Sequence, residues 1–231
     1  MQRFIPQAAA AATLLALCGT ASAQWTVRGG LTHIAPHSSA SDAVGPMLPA
    51  APSGISVEVA DKATLFLSVA YALDPHMELE LALGSPPTHD VNAQIAARLP
   101  PHIVAFDGRT LAEVRQIAPT LFFNYKFGDA NSQWRPFVGV GVNYTKFDKR
   151  TSTAVGNAFQ GGPTDIRMKD SWGLAAQVGV SYRINERWSV TGAIATAHVK
   201  SVITATTAGV ARSMDIRFRP TVLTIAAGYT F

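Results

Sequence analysis

The sequence predicts an all-β fold, an eight-stranded antiparallel transmembrane β-barrel with short periplasmic turns and long extracellular loops. Three observations predict it. First, the last stretch, Arg219 to Phe231, alternates with a period of two. Leu223, Ile225, Ala227, Tyr229 and Phe231 share one face, and Val222, Thr224, Ala226, Gly228 and Thr230 share the other. Second, the segments between such stretches alternate between long and short. Third, a short apolar leader precedes a chain without cysteine and without any apolar run long enough to form a membrane helix.

The leader covers residues 1–23, leaving 24–231 as the expected barrel domain. Arg3 supplies the positive start, Ala8 to Leu17 the apolar run, and Ala21-Ser22-Ala23 the small-residue cleavage pattern of a secretory signal. Cys18, the only cysteine, falls inside the leader behind Leu17, which is not the small residue a lipidation site requires. An exported domain without disulfides needs another source of stability. The formal net charge of the whole chain is +4, scattered and without a basic stripe, so nucleic-acid binding is not expected.

Taken in order, the first strand covers Gln24 to His33, with Arg28 on the same row as Gly30 and Thr32. Residues 34–56 form a long Pro/Ser/Ala-rich loop. A second strand region runs from Val57 to Leu73. There Leu65, Leu67, Val69, Tyr71 and Leu73 oppose Thr64, Ser68, Ala70 and Ala72, and Phe66 stands on the small, polar row. Asp74-Pro75-His76 is a tight turn by composition. The third strand is the most regular: Met77, Leu79, Leu81 and Leu83 alternate with Glu78, Glu80, Ala82 and Gly84. In a barrel, the two glutamates point into the lumen and need cationic partners. Alternation alone offers Arg28 and Arg183.

Residues 85–110 form the second long connection. The spacing of Val91, Ile95 and Leu99 predicts a short helix over 90–99, stopped by Pro100-Pro101. The fourth strand region, Ala112 to Phe127, is interrupted at Pro119, where a bulge or displaced start is expected. Beyond it, Leu121, Phe123, Tyr125 and Phe127 oppose Thr120, Phe122, Asn124 and Lys126. A short turn at 128–133 leads to the fifth strand, Arg135 to Phe147. After a long loop at 148–169 come the sixth strand, Ser171 to Ile184, a short turn at 185–187, and the seventh strand, Trp188 to about Thr204. A fourth long connection, 206–215, precedes the last strand, from about Ile216 to Phe231.

Even strand number, short turns on one side and long loops on the other match an outer-membrane barrel. Aromatic residues near the strand ends suit the two lipid–water interfaces. The main soluble rival, a periplasmic lipocalin-like barrel, needs its bulky row inside. It would then expose a row of Gly, Ala, Ser and Thr, a poor soluble coat. The histidines show no metal-ligand spacing and read as ordinary loop residues. No Gly-x-Ser-x-Gly elbow or convincing Ser-His-Asp grouping exists, so no enzyme, catalytic residue, metal or cofactor is expected.

Four blocks together resemble the outer membrane protein W family: A-P-T-L-F-F-N-Y-K-F-G-D at 118–129, R-P-F-V-G-V-G-V-N-Y-T-K-F at 135–147, K-D-S-W-G-L-A-A-Q-V-G-V-S-Y-R-I-N at 169–185 and A-G-Y-T-F at 227–231. The resemblance is strongest over 118–185 and weaker before residue 60. It implies a monomeric eight-stranded barrel in the outer membrane, with a narrow, largely hydrophobic interior. It also implies passage or binding of small hydrophobic molecules, with exit sideways through the wall, and no cofactor. Implied partners are membrane lipid and lipopolysaccharide, the outer-membrane barrel assembly machinery and small hydrophobic solutes. The terminal row Leu223, Ile225, Ala227, Tyr229 and Phe231 resembles an assembly signal. Phe66 and Phe122 are the lumen candidates, either filling the interior or contacting a ligand. Arg28, Glu78, Glu80 and Arg183 are the expected inward charges. A structural, adhesive or receptor barrel without transport is the alternative, and its discriminating features would be the long loops.

Overall fold

The computed structural model describes residues 24–231 except 47 and 49–51. The expected leader, with Cys18, lies outside the described residues. In chain order the strands are β1 (Trp25–Ala35), β2 (Ser38–Ala40), β3 (Ile55–Val59), β4 (Lys62–Ala72), β5 (Met77–Gly84), β6 (Thr88–Ile95), β7 (Thr110–Ile117) and β8 (Thr120–Lys126). Then follow β9 (Trp134–Ser152), β10 (Thr164–Met168), β11 (Ser171–Arg183), β12 (Trp188–Ala197), β13 (Val199–Thr207), β14 (Val210–Phe218) and β15 (Thr221–Thr230). Two short helices, α1 (Pro101–Val104) and α2 (Ala154–Gln160), lie in the connections.

Eight of these strands close into a barrel in the order β1-β4-β5-β8-β9-β11-β12-β15, every neighbouring pair antiparallel. Closure joins β1 to β15, from Thr26↔Thr230 to Ala35↔Thr221. The bulky rows face outward. Leu31, Leu65, Val140, Leu174 and Ile225 are all exposed, Leu174 at 76%. Such a continuous exposed apolar belt is a lipid-facing surface, not the coat of a soluble protein. The soluble-barrel alternative ends here.

The periplasmic turns are closed by side chains. Asp74 Oδ1 accepts from the amides of His76 and Met77 at 2.7 and 2.8 Å. Asn185 Oδ1 does the same for Arg187 and Trp188 at 2.9 and 2.8 Å. Both are turns in which a short polar side chain substitutes for backbone pairing. Aromatic pairs ring this end, including Trp25–Tyr71, Trp134–Tyr182 and Trp188–Tyr229.

The outer connections differ from expectation: they are folded rather than irregular. The expected second strand region divides into β3 and β4, and the fourth divides at Pro119 into β7 and β8. The seventh divides at His198 into β12 and β13, and the eighth divides at Arg219–Pro220 into β14 and β15. The upper part of β9 pairs with β7, which pairs with β6 and then β3. A second sheet runs β10-β13-β14-β2. The two sheets enclose a core that includes Val57, Val91, Val114, Phe147, Ile216 and Phe218.

The helix expected over 90–99 is instead largely β6. His89, Val91, Ala93 and Ile95 are its buried row. A spacing of four is also even, so the same residues share a face in a strand. Pairing to β3 and β7 on both sides decides the outcome. The long connection expected over 206–215 is a tight hairpin. Thr207 pairs with Val210 around Ala208 and Gly209, with φ of 49° and 80°. Two successive left-handed residues make the turn whose twist matches that of the strands.

Candidate functional site

The barrel interior is built in four tiers. The lowest is a polar floor. Arg28 of β1 reaches Glu80 Oε1 through Nη1 at 2.8 Å and both oxygens of Glu78 through Nη2 at 2.9 Å. The glutamates stand on β5, separated from β1 in the wall by β4. Lys126 of β8 pairs with Glu78, so two cations face two carboxylates. Neutral donors complete the network. Ser68 Oγ donates to Glu80 at 2.6 Å, Asn124 Nδ2 at 2.9 Å and Gln177 Nε2 at 3.1 Å. At Gly139, a Cβ would collide with the Asn124 amide, so glycine makes the room this network uses. Arg28, Glu78 and Glu80 are exposed by only 4%, 2% and 5%.

Arg183 takes no part. Its guanidinium donates to the carbonyls of Ala130 and Asn131 in the neighbouring turn. Lys126, Asn124 and Gln177 stand on inward rows, but alternation alone does not mark them as partners of the glutamates, because polar lumen residues are common in barrels.

Above the floor is a lumen cavity of about 160 Å³. Arg28, Glu80 and Gln177 form its base, and Phe66, Phe122 and Phe137 are the aromatic side chains on its walls. Phe122 is 4% exposed. Phe137 was missed in the sequence although it carries the same signal, a large ring on a row otherwise Gly, Asn and Thr. Gly179 accommodates it: a Cβ there would lie 2.5 Å from the ring.

The third tier is a neck, a hollow of about 20 Å³ bordered by Val114, Phe147, Met168, Phe218, His89 and Gln116. The Phe147 and Phe218 rings lie 6.1 Å apart. His89 Nδ1 bonds the Ala60 carbonyl at 3.0 Å, while Nε2 is buried with no partner among the described residues. Burial holds this imidazole below its ordinary pKa. In the neutral ring, Nδ1–H donates to the carbonyl and Nε2 is an acceptor. The top tier is a cavity of about 370 Å³ between the two outer sheets, lined mostly by apolar groups such as Ile103, Phe106, Leu111, Phe159 and Ile166.

One part of the wall is open. The β5–β8 ladder ends at Ala82↔Thr120, and pairing resumes only where Gln116 N bonds Pro87 O at 3.0 Å. Between them, Leu83–Pro86 and 117–119 share no backbone hydrogen bond among the described residues. Pro86, Pro87 and Pro119 have no amide to donate there. Leu83, Ser85, Pro86 and Ala118 also line the lumen cavity.

A closed barrel with a lipid-facing exterior, polar turns below and a folded crown above is an outer-membrane β-barrel. The chain belongs to the OmpW family, whose model matches residues 21–231. Outer membrane protein W of Vibrio cholerae is 34% identical over 167 residues, 69% of this chain and 76% of that protein. The dibenzothiophene metabolism operon protein PahQ of Pseudomonas aeruginosa is 28% identical over 170 residues, 72% of this chain and 69% of that one. The crystal structure of outer membrane protein OprG from Pseudomonas aeruginosa matches with a TM-score of 0.78 at 26% identity. It covers 91% of this chain and 96% of that one. The protein therefore resides in the outer membrane as a barrel.

Proposed function

We propose that this barrel carries small apolar molecules from the cell exterior into the outer membrane, releasing them sideways rather than into the periplasm. The observation that carries the reading is the pairing of apolar tiers above with a sealed ionic floor below, next to a wall gap bordered by three prolines. An apolar solute gains from leaving water for the upper cavity. It cannot cross the floor without breaking buried ion pairs. The hydrocarbon outside the gap is the remaining destination. That a relative carries the name of a dibenzothiophene metabolism operon protein supports an apolar aromatic solute for that relative, and by extension a similar class here.

The test is uptake by liposomes holding the purified protein, with an apolar aromatic and an inorganic ion as the two solutes. Faster entry of the aromatic alone is expected. Equal entry with and without protein removes the transport reading. Ala118→Trp, which places a ring in the wall gap, is expected to lower that uptake several-fold with the barrel still folded. Undiminished uptake would place the exit elsewhere.

We further propose that residues 1–23 direct export and are removed, and that the row ending at Phe231 is read by the barrel assembly machinery. The Phe231 amide donates to Trp25 O at 2.9 Å, and its ring packs edge-on against Tyr229 with centroids 4.9 Å apart. Phe231→Ser is expected to reduce the amount of heat-modifiable barrel in the membrane more than the uptake per folded molecule. Wild-type levels of folded barrel would contradict this role.

A further inference from the structure

On the outside of the barrel, the face formed by β12 and β15 is apolar up to Ile194 and Leu223. The β12–β15 and β13–β14 ladders keep one register across the break between them. The same outward face therefore continues as two cross-strand pairs, His198 opposite Arg219 and Lys200 opposite Arg217. Lys200, Arg217 and Arg219 are exposed, while Val199, Ile216 and Phe218 between them are buried.

Like charges directly opposite on a sheet repel. Among the described residues, no carboxylate lies within 4.0 Å of Lys200, Arg217 or Arg219. Asp215, two residues from Arg217, stands opposite Val202 and forms no ion pair among the described residues. Asp170 is engaged by the Tyr144 hydroxyl at 2.8 Å and the Phe147 amide at 3.4 Å.

The height of this cluster is marked independently. The Lys200 amide donates to Ser171 Oγ at 3.1 Å, beside Trp172. Trp172 is 72% exposed, and its ring lies 4.7 Å from that of Tyr144. Exposed Trp and Tyr at strand ends mark the lipid–water boundary. Directly below the cations, a hollow of about 410 Å³ opens on the lipid-facing wall. His198 and Arg219 form its rim, Val140 and Leu174 its apolar sides, and Ala176 and Thr196 part of its shallow floor.

We infer that this face is a binding site for a phosphorylated, multiply acylated lipid of the outer leaflet. A phosphate sits among Lys200, Arg217 and Arg219, and an acyl chain lies in the hollow beneath. The phosphate supplies the negative charge that the opposed cations lack, with charge-assisted bonds from Arg217, Arg219 and Lys200. This site does not depend on solute transport.

The test uses the purified full barrel in a non-ionic detergent. Native mass spectrometry measures retention of lipid A, of the same lipid with its phosphates removed, and of inorganic phosphate. Wild-type protein is expected to retain phosphorylated lipid A at least tenfold more strongly than the dephosphorylated form, with no stable adduct from inorganic phosphate. Lys200→Gln combined with Arg217→Gln is expected to abolish that preference. Arg167→Gln, at an arginine already paired with Asp165, leaves it unchanged. The double variant removes a repulsion, so its heat-modifiability in lipid-free detergent should be undiminished. Equal retention of the two lipid forms by the wild type overturns the site, as does an unchanged preference in the folded double variant. A stable inorganic phosphate adduct, an adventitious ion only, also overturns it.

Discussion

Arg28→Ala is expected to destabilise the barrel by about 3–5 kcal/mol, the cost typical of removing one partner from a buried ion pair. The reason lies in what remains. Glu78 keeps Lys126, but Glu80 keeps only the neutral donors Ser68, Asn124 and Gln177. Its charge would then stay in the lumen without a direct cationic partner. Arg28→Lys is expected to recover only part of the loss, because one ammonium does not reproduce the fork that serves both glutamates. Arg28→Ala with Glu80→Gln should recover more, since the amide removes the stranded charge and keeps a hydrogen-bonding carbonyl. Urea unfolding in lipid vesicles, followed by tryptophan fluorescence, measures each. A midpoint unchanged in Arg28→Ala would show that the floor contributes no net stability. If floor and wall gap together direct the solute, Arg28→Ala also opens a downward route, seen as ion leakage through the liposome wall.

The second large effect is expected at the neck. Phe147 is 4% exposed in the core shared by the outer sheets. Phe147→Ala removes a buried ring facing Phe218, a change that typically costs about 3–5 kcal/mol. The loss is expected to fall on the crown and not on the membrane part, because the lower ladders and the ionic floor do not use this side chain. Amide hydrogen exchange should accelerate in β6, β7, β13 and β14. The lower halves of β1, β4 and β15 should stay protected, and the protein heat-modifiable. A uniform loss of protection over all fifteen strands would make crown and barrel one cooperative unit.

How much of this was legible beforehand depended on the solvent each segment meets. The barrel strands were legible because lipid imposes one strict rule on alternate residues, as in Leu79, Leu81 and Leu83 against Glu78 and Glu80. Phe66 and Phe122 stood out because they break that rule. The crown obeys a looser one. Its sheets are apolar on one side only, its strands are short, and prolines and glycines interrupt them. Val91 and Ile95 therefore suited a helix as well as a strand. At 206–215, the mix of small residues hid a two-residue turn whose geometry depends on Ala208 and Gly209 together.

The floor was half legible. The row and sign of Arg28, Glu78 and Glu80 follow from alternation. Choosing Arg28 over Arg183 needs height along the barrel axis, and Arg183 lies too near the turn. The wall gap had a visible cause in Pro86, Pro87 and Pro119. Its meaning emerged only once residues 83–86 and 117–119 were seen to lie in adjacent strands. The basic pair Lys200–Arg217 on β13 and β14, with Arg219 just beyond it, depends on cross-strand register, which one-dimensional spacing does not contain.

The closing seam between β1 and β15 also sets a timetable. Thr26 and Thr230 are joined across 204 positions of chain. Loops that long close slowly relative to neighbouring hairpins. Without β15, both β1 and β12 would present a bare edge, ready to pair with whatever strand is near. The ten residues Thr221–Thr230 therefore cover two edges at once: without them β1 and β12 each lack one antiparallel neighbour, and with them both are paired.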